Sequence, residues 1–169
     1  FSGCTNLKNV NLSRVDASKV VSMANMFAGC GSLAFLDLSG WDATNVKDMS
    51  GMFSACFQLD TIKLAGMKVQ NVSNLNRMFA NCEKLNTLNI PSDWCISKAT
   101  DEGYTDMGYM FYACKSLKKI DFSKWNISNI TNTEYMFYMC SNLSEIAIPS
   151  GENPWRVKGS RDDQYNVHG

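Results

Sequence analysis

The sequence has a single histidine, His168, beside its C-terminal end. A reactive thiolate needs a base or positive neighbours, so the seven cysteines have almost no route to a Cys–His nucleophile pair. Net charge is also lacking. Sixteen Lys and Arg balance sixteen Asp and Glu, whereas a general nucleic-acid binder is basic. No apolar run approaches the roughly 18 to 20 residues that span a bilayer, so no membrane insertion is expected. No signal peptide, lipobox or sorting signal is present. The sequence opens in mid-pattern at Phe1 and reads as a piece of a longer protein, from which targeting segments would have been cut away.

Metal-site spacing is missing as well. Thiolate sites want close pairs such as C-x-x-C, and here the patterned cysteines stand 26 or 32 residues apart. Calcium loops want clustered carboxylates. Asp101, Glu102 and Asp106 form the only such group, and their spacing matches no loop motif. Methionine-rich Cu(I) binding is chemically conceivable, but methionine is an ordinary core filler and a packing column is the better reading. There is no acid–base pair, no nucleophile–base pair and no phosphate loop. No cofactor, no metal and no enzymatic activity are expected.

What the sequence does have is one phrase written six times. It reads MSGMFSACFQL at Met49 to Leu59, with echoes such as LNRMFANCEKL at Leu75 to Leu85 and TEYMFYMCSNL at Thr133 to Leu143. The Phe of each F-x-x-C falls at 1, 27, 53, 79, 111 and 137, in steps of 26, 26, 26, 32 and 26. The unit is therefore 26 residues, with one insertion of six within residues 91–104. Such a period means a solenoid, propeller or array. The stretch 1–149 reads as about five and a half units, and 150–169 as a terminal cap, a linker or an appended tail.

The first half of each unit carries L-x-x-L-x-L, as in Leu33, Leu36 and Leu38. Residues two apart share a strand face, so Leu36 and Leu38 point inward while Phe35 and Asp37 point out. The second half changes period. Val46, Met49, Met52, Phe53 and Cys56 are spaced as one face of a short helix, with Asn45 as its N-cap and Asp48 in its first turn. Gly29, Ala55, Asn81 and Ala113 share a position near the expected helix end, where Gly and Asn suit a left-handed cap and alanine suits it less. The expected fold class is α/β, a right-handed leucine-rich-repeat-like solenoid with one parallel sheet on one side and short helices on the other.

Three interior columns follow. One is Met26, Met52, Met78, Met110 and Met136. The second is Phe27, Phe53, Phe79, Phe111 and Phe137, led by Phe1. The third is Cys30, Cys56, Cys82, Cys114 and Cys140, led by Cys4. Buried cysteine behaves as a small hydrophobe. Helices stacked about 10 Å apart would hold the sulfurs beyond bridging reach, so unpaired thiols are expected. Cys95, in the insertion, is the expected exposed thiol. Trp41 and Trp125 share a column with Val15 and Met67, which places them in the core. Trp94 fills the same place one residue late, and Tyr104 takes the place of Val46. Trp155, in the tail, is more open to capping or function.

Solenoids bind through an exposed face. The outward columns should be Asn9, Phe35, Thr61, Thr87, Lys119 and Glu145, then Asn11, Asp37, Lys63, Asn89, Asp121 and Ala147. Their mixed charge and single large apolar residue suit a protein partner weakly and nucleic acid poorly. A plain solvated face is the competing reading. N-x-S/T occurs at Asn11, Asn71, Asn126, Asn129 and Asn142 as a by-product of the repeat, and matters only in a eukaryotic secretory route.

The phrase LDLSGWDATNVKDMSGMFSACFQL, Leu36 to Leu59, and its echoes resemble the BspA-like leucine-rich-repeat surface proteins, the 26-residue type of bacterial surface proteins and lipoproteins. The resemblance covers about residues 1–149. It implies a cell-surface or secreted location and adhesion to a host matrix protein or another cell. It carries over no binding residue. A rigid stalk that displays another domain is the alternative.

Overall fold

The structure, a computed structural model, describes residues 1–92, 94, 105–125 and 130–150. Its regular elements are six short strands: β1 Phe35–Asp37, β2 Thr61–Lys63, β3 Thr105–Asp106, β4 Lys119–Asp121, β5 Ile130–Asn132 and β6 Glu145–Ala147. All pair in parallel, β1 with β2, β4 with β6 and β3 with β5. The first two pairs lie one repeat apart in register, Leu36 opposite Ile62 and Ile120 opposite Ile146. Single bridges extend the pattern. Thr87 pairs with Lys119 on the first side, Ser22 with Asp48, then Asn74, then Asp106 on the second, and Asp42 with Lys68 on the third. The single sheet expected from the sequence is therefore a set of short ladders on three sides of each coil, because turns leave only two or three extended residues between them.

No helix is present among the described residues. The stretch expected to be helical, Val46 to Cys56, is a run of turns. Met52, Ser54 and Cys56 each donate their N–H to the carbonyl three residues back. Met49, Gly51, Phe53 and Ala55 instead donate to Asn74, Asn76, Met78 and Ala80 of the next unit, at 2.8–2.9 Å. A series of i→i−3 turns places every third residue on one side, so the apolar spacing is shared by a short helix and by stacked turns. Left-handed residues break any helix here, with φ +59° at Gly51 and +58° at Ala55. The expected capping residues have other partners. Asp48 Oδ1 accepts the Ser50 N–H at 2.8 Å in an Asx turn, and Asn45 Nδ2 donates to the Ser18 carbonyl of the preceding unit at 2.7 Å.

The column Gly29, Ala55, Asn81 and Ala113 is left-handed throughout, alanines included, with φ of +73°, +58°, +61° and +56°. A neighbouring left-handed column runs Asn25, Gly51, Arg77, Tyr109 and Tyr135. At Gly51 a Cβ would meet the Asn25 side-chain oxygen, so a larger residue there displaces that side chain.

The core is one continuous stack. Phe27, Phe53, Phe79 and Phe111 have no exposed surface, and the Phe rings from 1 to 137 follow one another at 5.2–5.9 Å. Met52, Met78, Met110 and Met136 are buried, while Met26, Phe137 and Cys140 are half-buried at the ends of their columns. Each fully buried side chain of this size contributes about 1.5–3 kcal/mol. Trp41, Met67 and Trp125 are buried, and Trp94 joins them, its ring 6.2 Å from Trp125 and its Nε1 donating to the Met67 carbonyl at 3.0 Å. Val15, placed in that column by the sequence, is 44% exposed. It borders an open apolar groove of about 310 Å³ with Val20, Met23, Met26 and Trp41. The second ladder runs from Asn74 to Asp106 and on to Asn132, so the six-residue insertion leaves it in step. Cys95, Asp101, Glu102, Tyr104, Trp155 and His168 lie outside the described residues.

Candidate protein-binding surfaces

The alternating strands place their odd columns outward. In β1, β2 and β4 the outer two residues are exposed and the middle one is buried. Asn9, Phe35, Thr61, Thr87, Lys119 and Glu145 are all exposed, as are Asn11, Asp37, Lys63, Asn89 and Asp121, while Ala147 is half-buried. Phe35 retains 42% of its surface. The Lys63 ammonium lies 5.3 Å from the Phe35 ring centroid and 3.7 Å from Asp37 Oδ2. These three side chains form the only cluster of cation, anion and aromatic on this face among the described residues. At such exposure each of the two Lys63 contacts is worth about 1 kcal/mol or less.

The aspartates here also serve the backbone. Asp37 Oδ1 accepts the Ser39 N–H at 2.9 Å, and Asp121 Oδ1 accepts the Ser123 N–H at 2.7 Å. The hydrogen bonds from Ser39 hold the Asp37 carboxyl below its ordinary range, and Lys63 adds a smaller push the same way. Ser123 does the same for Asp121, with Lys124 and Lys119 assisting. Three of the N-x-S/T asparagines are committed within the coil. Asn11 accepts from Ser13, Asn71 donates to the Thr44 carbonyl and Asn142 to the Lys115 carbonyl.

The cysteine column has a precise bonding role. Each Sγ–H donates to the Phe carbonyl of the preceding unit: Cys30 to Phe1, Cys56 to Phe27, Cys82 to Phe53, Cys114 to Phe79 and Cys140 to Phe111, at 3.0–3.2 Å. The same carbonyls of Phe27, Phe53, Phe79 and Phe111 take the Cys N–H of their own unit. These thiols and the exposed Cys4 are free. Distance does not keep these sulfurs from bridging, contrary to the expectation from stacked helices. Units joined by backbone ladders stand at parallel-strand distance, about 4.8 Å, which is inside the Cα range for a disulfide. Burial, not distance, makes these sulfurs inert. It pushes the Cys56 thiol up to about 12 and that of Cys140 to about 11, and raises Cys30, Cys82 and Cys114 as well. A thiol so raised is a poor nucleophile.

Asp106, grouped with Asp101 and Glu102 in the sequence, is enclosed by donors. Its carboxylate accepts the Gly108 N–H at 2.8 Å, Asn132 Nδ2 at 3.0 Å and Asn76 Nδ2 at 3.3 Å. A Cβ at Gly108 would sit 2.7 Å from Asn132 Nδ2, so glycine keeps this amide cage open. Among the described residues no three His, Cys, Asp or Glu side chains gather as a metal site.

One cluster escaped the sequence reading. Tyr109, Tyr112, Tyr135 and Tyr138 flank the Met-Phe pair in two successive units, and their rings meet at 5.0–5.8 Å. The Arg77 guanidinium lies 4.3 Å from the Tyr109 centroid. The signal was present as Y-M-F-Y in both GYMFY and EYMFY. The recurring Met, Phe and Cys mask it, because the tyrosines occur in only two of the six units.

A parallel-laddered coil with interior Leu, Met, Phe and Cys columns and free outer columns defines a leucine-rich-repeat-type solenoid. The chain belongs to the family described as "Mycoplasma protein of unknown function, DUF285", the BspA-like repeat domain, whose model matches residues 1–104 and again 63–162. In fold it is similar to a leucine-rich cell surface protein of Faecalibacterium prausnitzii A2-165, with a TM-score of 0.54 at 21% identity over 81% of this chain and 31% of that one. A leucine-rich repeat protein of Bacteroides ovatus ATCC 8483 gives a TM-score of 0.27 at 16% identity, over 88% and 56% of the two chains. The chain thus spans about a third of the first protein's length and a little over half of the second's. No curated protein matches it.

Proposed function

We propose that the chain is a surface-exposed or secreted binding module of a longer protein, which adheres to a host matrix or cell-surface protein without catalysing a reaction. The observation that carries this reading is the segregation of side chains along the strands. The inward columns pack into the core, while the outward columns, Phe35 with Lys63 and Asp37 foremost, stay exposed and touch only one another or, as Asp37 and Asp121 do, the turn that follows. The likeness in fold to a leucine-rich cell surface protein supports the location. The raised thiols of the cysteine column fit a surface that works by contact rather than chemistry.

Biolayer interferometry against matrix and plasma proteins, fibronectin and fibrinogen included, and host-cell glycans tests it. Saturable binding to a protein is expected, weakened about tenfold by a Phe35/Lys63/Lys119 triple alanine variant. Failure of the folded chain to bind any of them at tens of micromolar would instead favour a second reading, a rigid spacer displaying another domain. The unbroken Phe stack and the backbone ladders are the observations that favour stiffness. A spacer tolerates surface substitutions and responds only to the number of repeats.

A further inference from the structure

We propose that Cys4 and Cys30 form a redox clasp, a disulfide that fastens the first unit to the second when the chain meets a small disulfide such as oxidised glutathione. Surface and secreted proteins meet such oxidants. The clasp draws on the proposed surface location for nothing else, and it does not depend on the strand face being a binding site.

Three observations converge. The first is register. The Gly3 N–H donates to the Ala28 carbonyl at 2.7 Å and the Ser32 N–H to the Thr5 carbonyl at 3.1 Å, which sets Cys4 opposite Cys30. The Cys4 N–H and the Cys30 Sγ–H converge on one acceptor, the Phe1 carbonyl, each at 3.1 Å. Partners across a parallel ladder have Cα atoms about 4.8 Å apart, inside the disulfide range of roughly 4.4–6.8 Å. The second is access. Cys30, Cys56, Cys82 and Cys114 are buried and Cys140 is half-buried, whereas Cys4 is exposed. Thiol exchange begins at a sulfur that the oxidant can reach, and Cys4 is that sulfur.

The third is the backbone around the pair. A disulfide wants its Cβ atoms about 3.5–4.5 Å apart, a few tenths of an ångström closer than the ladder spacing. Gly3 precedes Cys4 and Gly29 precedes Cys30, both left-handed, at φ +75° and +73°. In the four later units that place holds Ala55, Asn81, Ala113 and Met139. A Cβ at Gly29 would lie 3.5 Å from the Gly3 Cα, so a side chain there would prop the two backbones apart and glycine lets them close.

The Cys4 thiolate attacks one sulfur of oxidised glutathione and expels a glutathione thiolate, leaving a mixed disulfide. The Cys30 thiol gives its proton to water, and its thiolate attacks the Cys4 sulfur and expels the second glutathione. Two cysteine thiols are oxidised, and one glutathione disulfide is reduced to two thiols. Burial and the nearby Cys4 raise the Cys30 thiol, so closure is the slow step and quickens as pH rises.

The full chain, in a Cys95→Ser background that removes the insertion's thiol, would be held folded in a glutathione redox buffer until its composition stops changing. It would then be quenched with acid, alkylated, digested and mapped by mass spectrometry. Of the seven cysteines less Cys95, two should lose their thiols, and Cys4 and Cys30 should appear in one linked pair of peptides. Cys30→Ser, whose hydroxyl can still donate to the Phe1 carbonyl, should stop at glutathione on Cys4. Cys4→Ser should keep every remaining thiol. Circular dichroism of each variant against the parent shows that the fold is kept. In denaturing urea the preference for this pair should vanish, because the fold sets it. The proposal is overturned by glutathione resting on Cys4 of the parent with Cys30 still free, by linkage of another pair, by a folded chain that loses no thiol, or by the same preference for Cys4–Cys30 in urea.

Discussion

Phe53→Asp should abolish cooperative thermal unfolding of the central repeats. Phe53 has no exposed surface, and its ring stands between Phe27 at 5.9 Å and Phe79 at 5.2 Å. Its backbone ties two units together. The N–H donates to Met78, and the carbonyl accepts both the Cys56 N–H and the Cys82 thiol. Truncating a buried Phe costs about 3–5 kcal/mol, and an unpaired buried carboxylate adds several more. The sum rivals the whole stability of an ordinary domain, about 5–15 kcal/mol. In a repeat array each unit leans on its neighbours, so a break in the middle uncouples both halves. The same change at the half-buried Phe137 should cost less, and Asp37→Ala on the exposed face should stay within about 0.5 kcal/mol. Calorimetry of the three variants checks the ranking. A Phe53→Asp melt unchanged from the parent would contradict the interior column.

The second large effect is alkaline lability. In the fold Cys56 stays protonated to about pH 12, and burial raises Cys82 and Cys114 too. Once unfolded, each thiol ionises near pH 8.5. Protons are therefore held by the folded state and released on unfolding. The stabilisation is intact below about pH 8.5 and is lost as pH climbs from there toward the folded values. Each thiol contributes a slope of about 1.4 kcal/mol per pH unit, so the three together give about 4. Urea titrations from about pH 8 to 10.5 should show this fall. A Cys56/Cys82/Cys114 triple alanine variant should show a much flatter one, whatever its absolute stability. Parallel slopes in parent and variant would mean that the thiols are not buried as a column.

How much of this was legible in the sequence depends on which signal a residue carries. Leu36, Leu38 and Ile62 alternate with exposed Phe35, Asp37 and Lys63, and period two has a single structural meaning, so the strand side was readable. The Met, Phe and Cys columns were readable because repetition fixes which residues stack. The turn side was misread because spacing by three does not separate a helical turn from consecutive i→i−3 turns. What separates them is backbone sign at Gly51, Ala55 and Arg77, and only the glycine announces it in the sequence. That error carried into the sulfur geometry, since helices imply about 10 Å between units and ladders about 4.8 Å. The Cys-to-Phe carbonyl bond was hidden for another reason. It joins residues 29 or 35 apart, which become neighbours only when the coil closes.

The units stack through backbone ladders and turns rather than through helices. Far-ultraviolet circular dichroism of the chain in solution tests this most directly. A spectrum without the helical double minimum, losing its signal in one cooperative transition, is the predicted result. A pronounced helical double minimum would contradict it, and would return Val46 to Cys56 to the helix that its spacing first suggested.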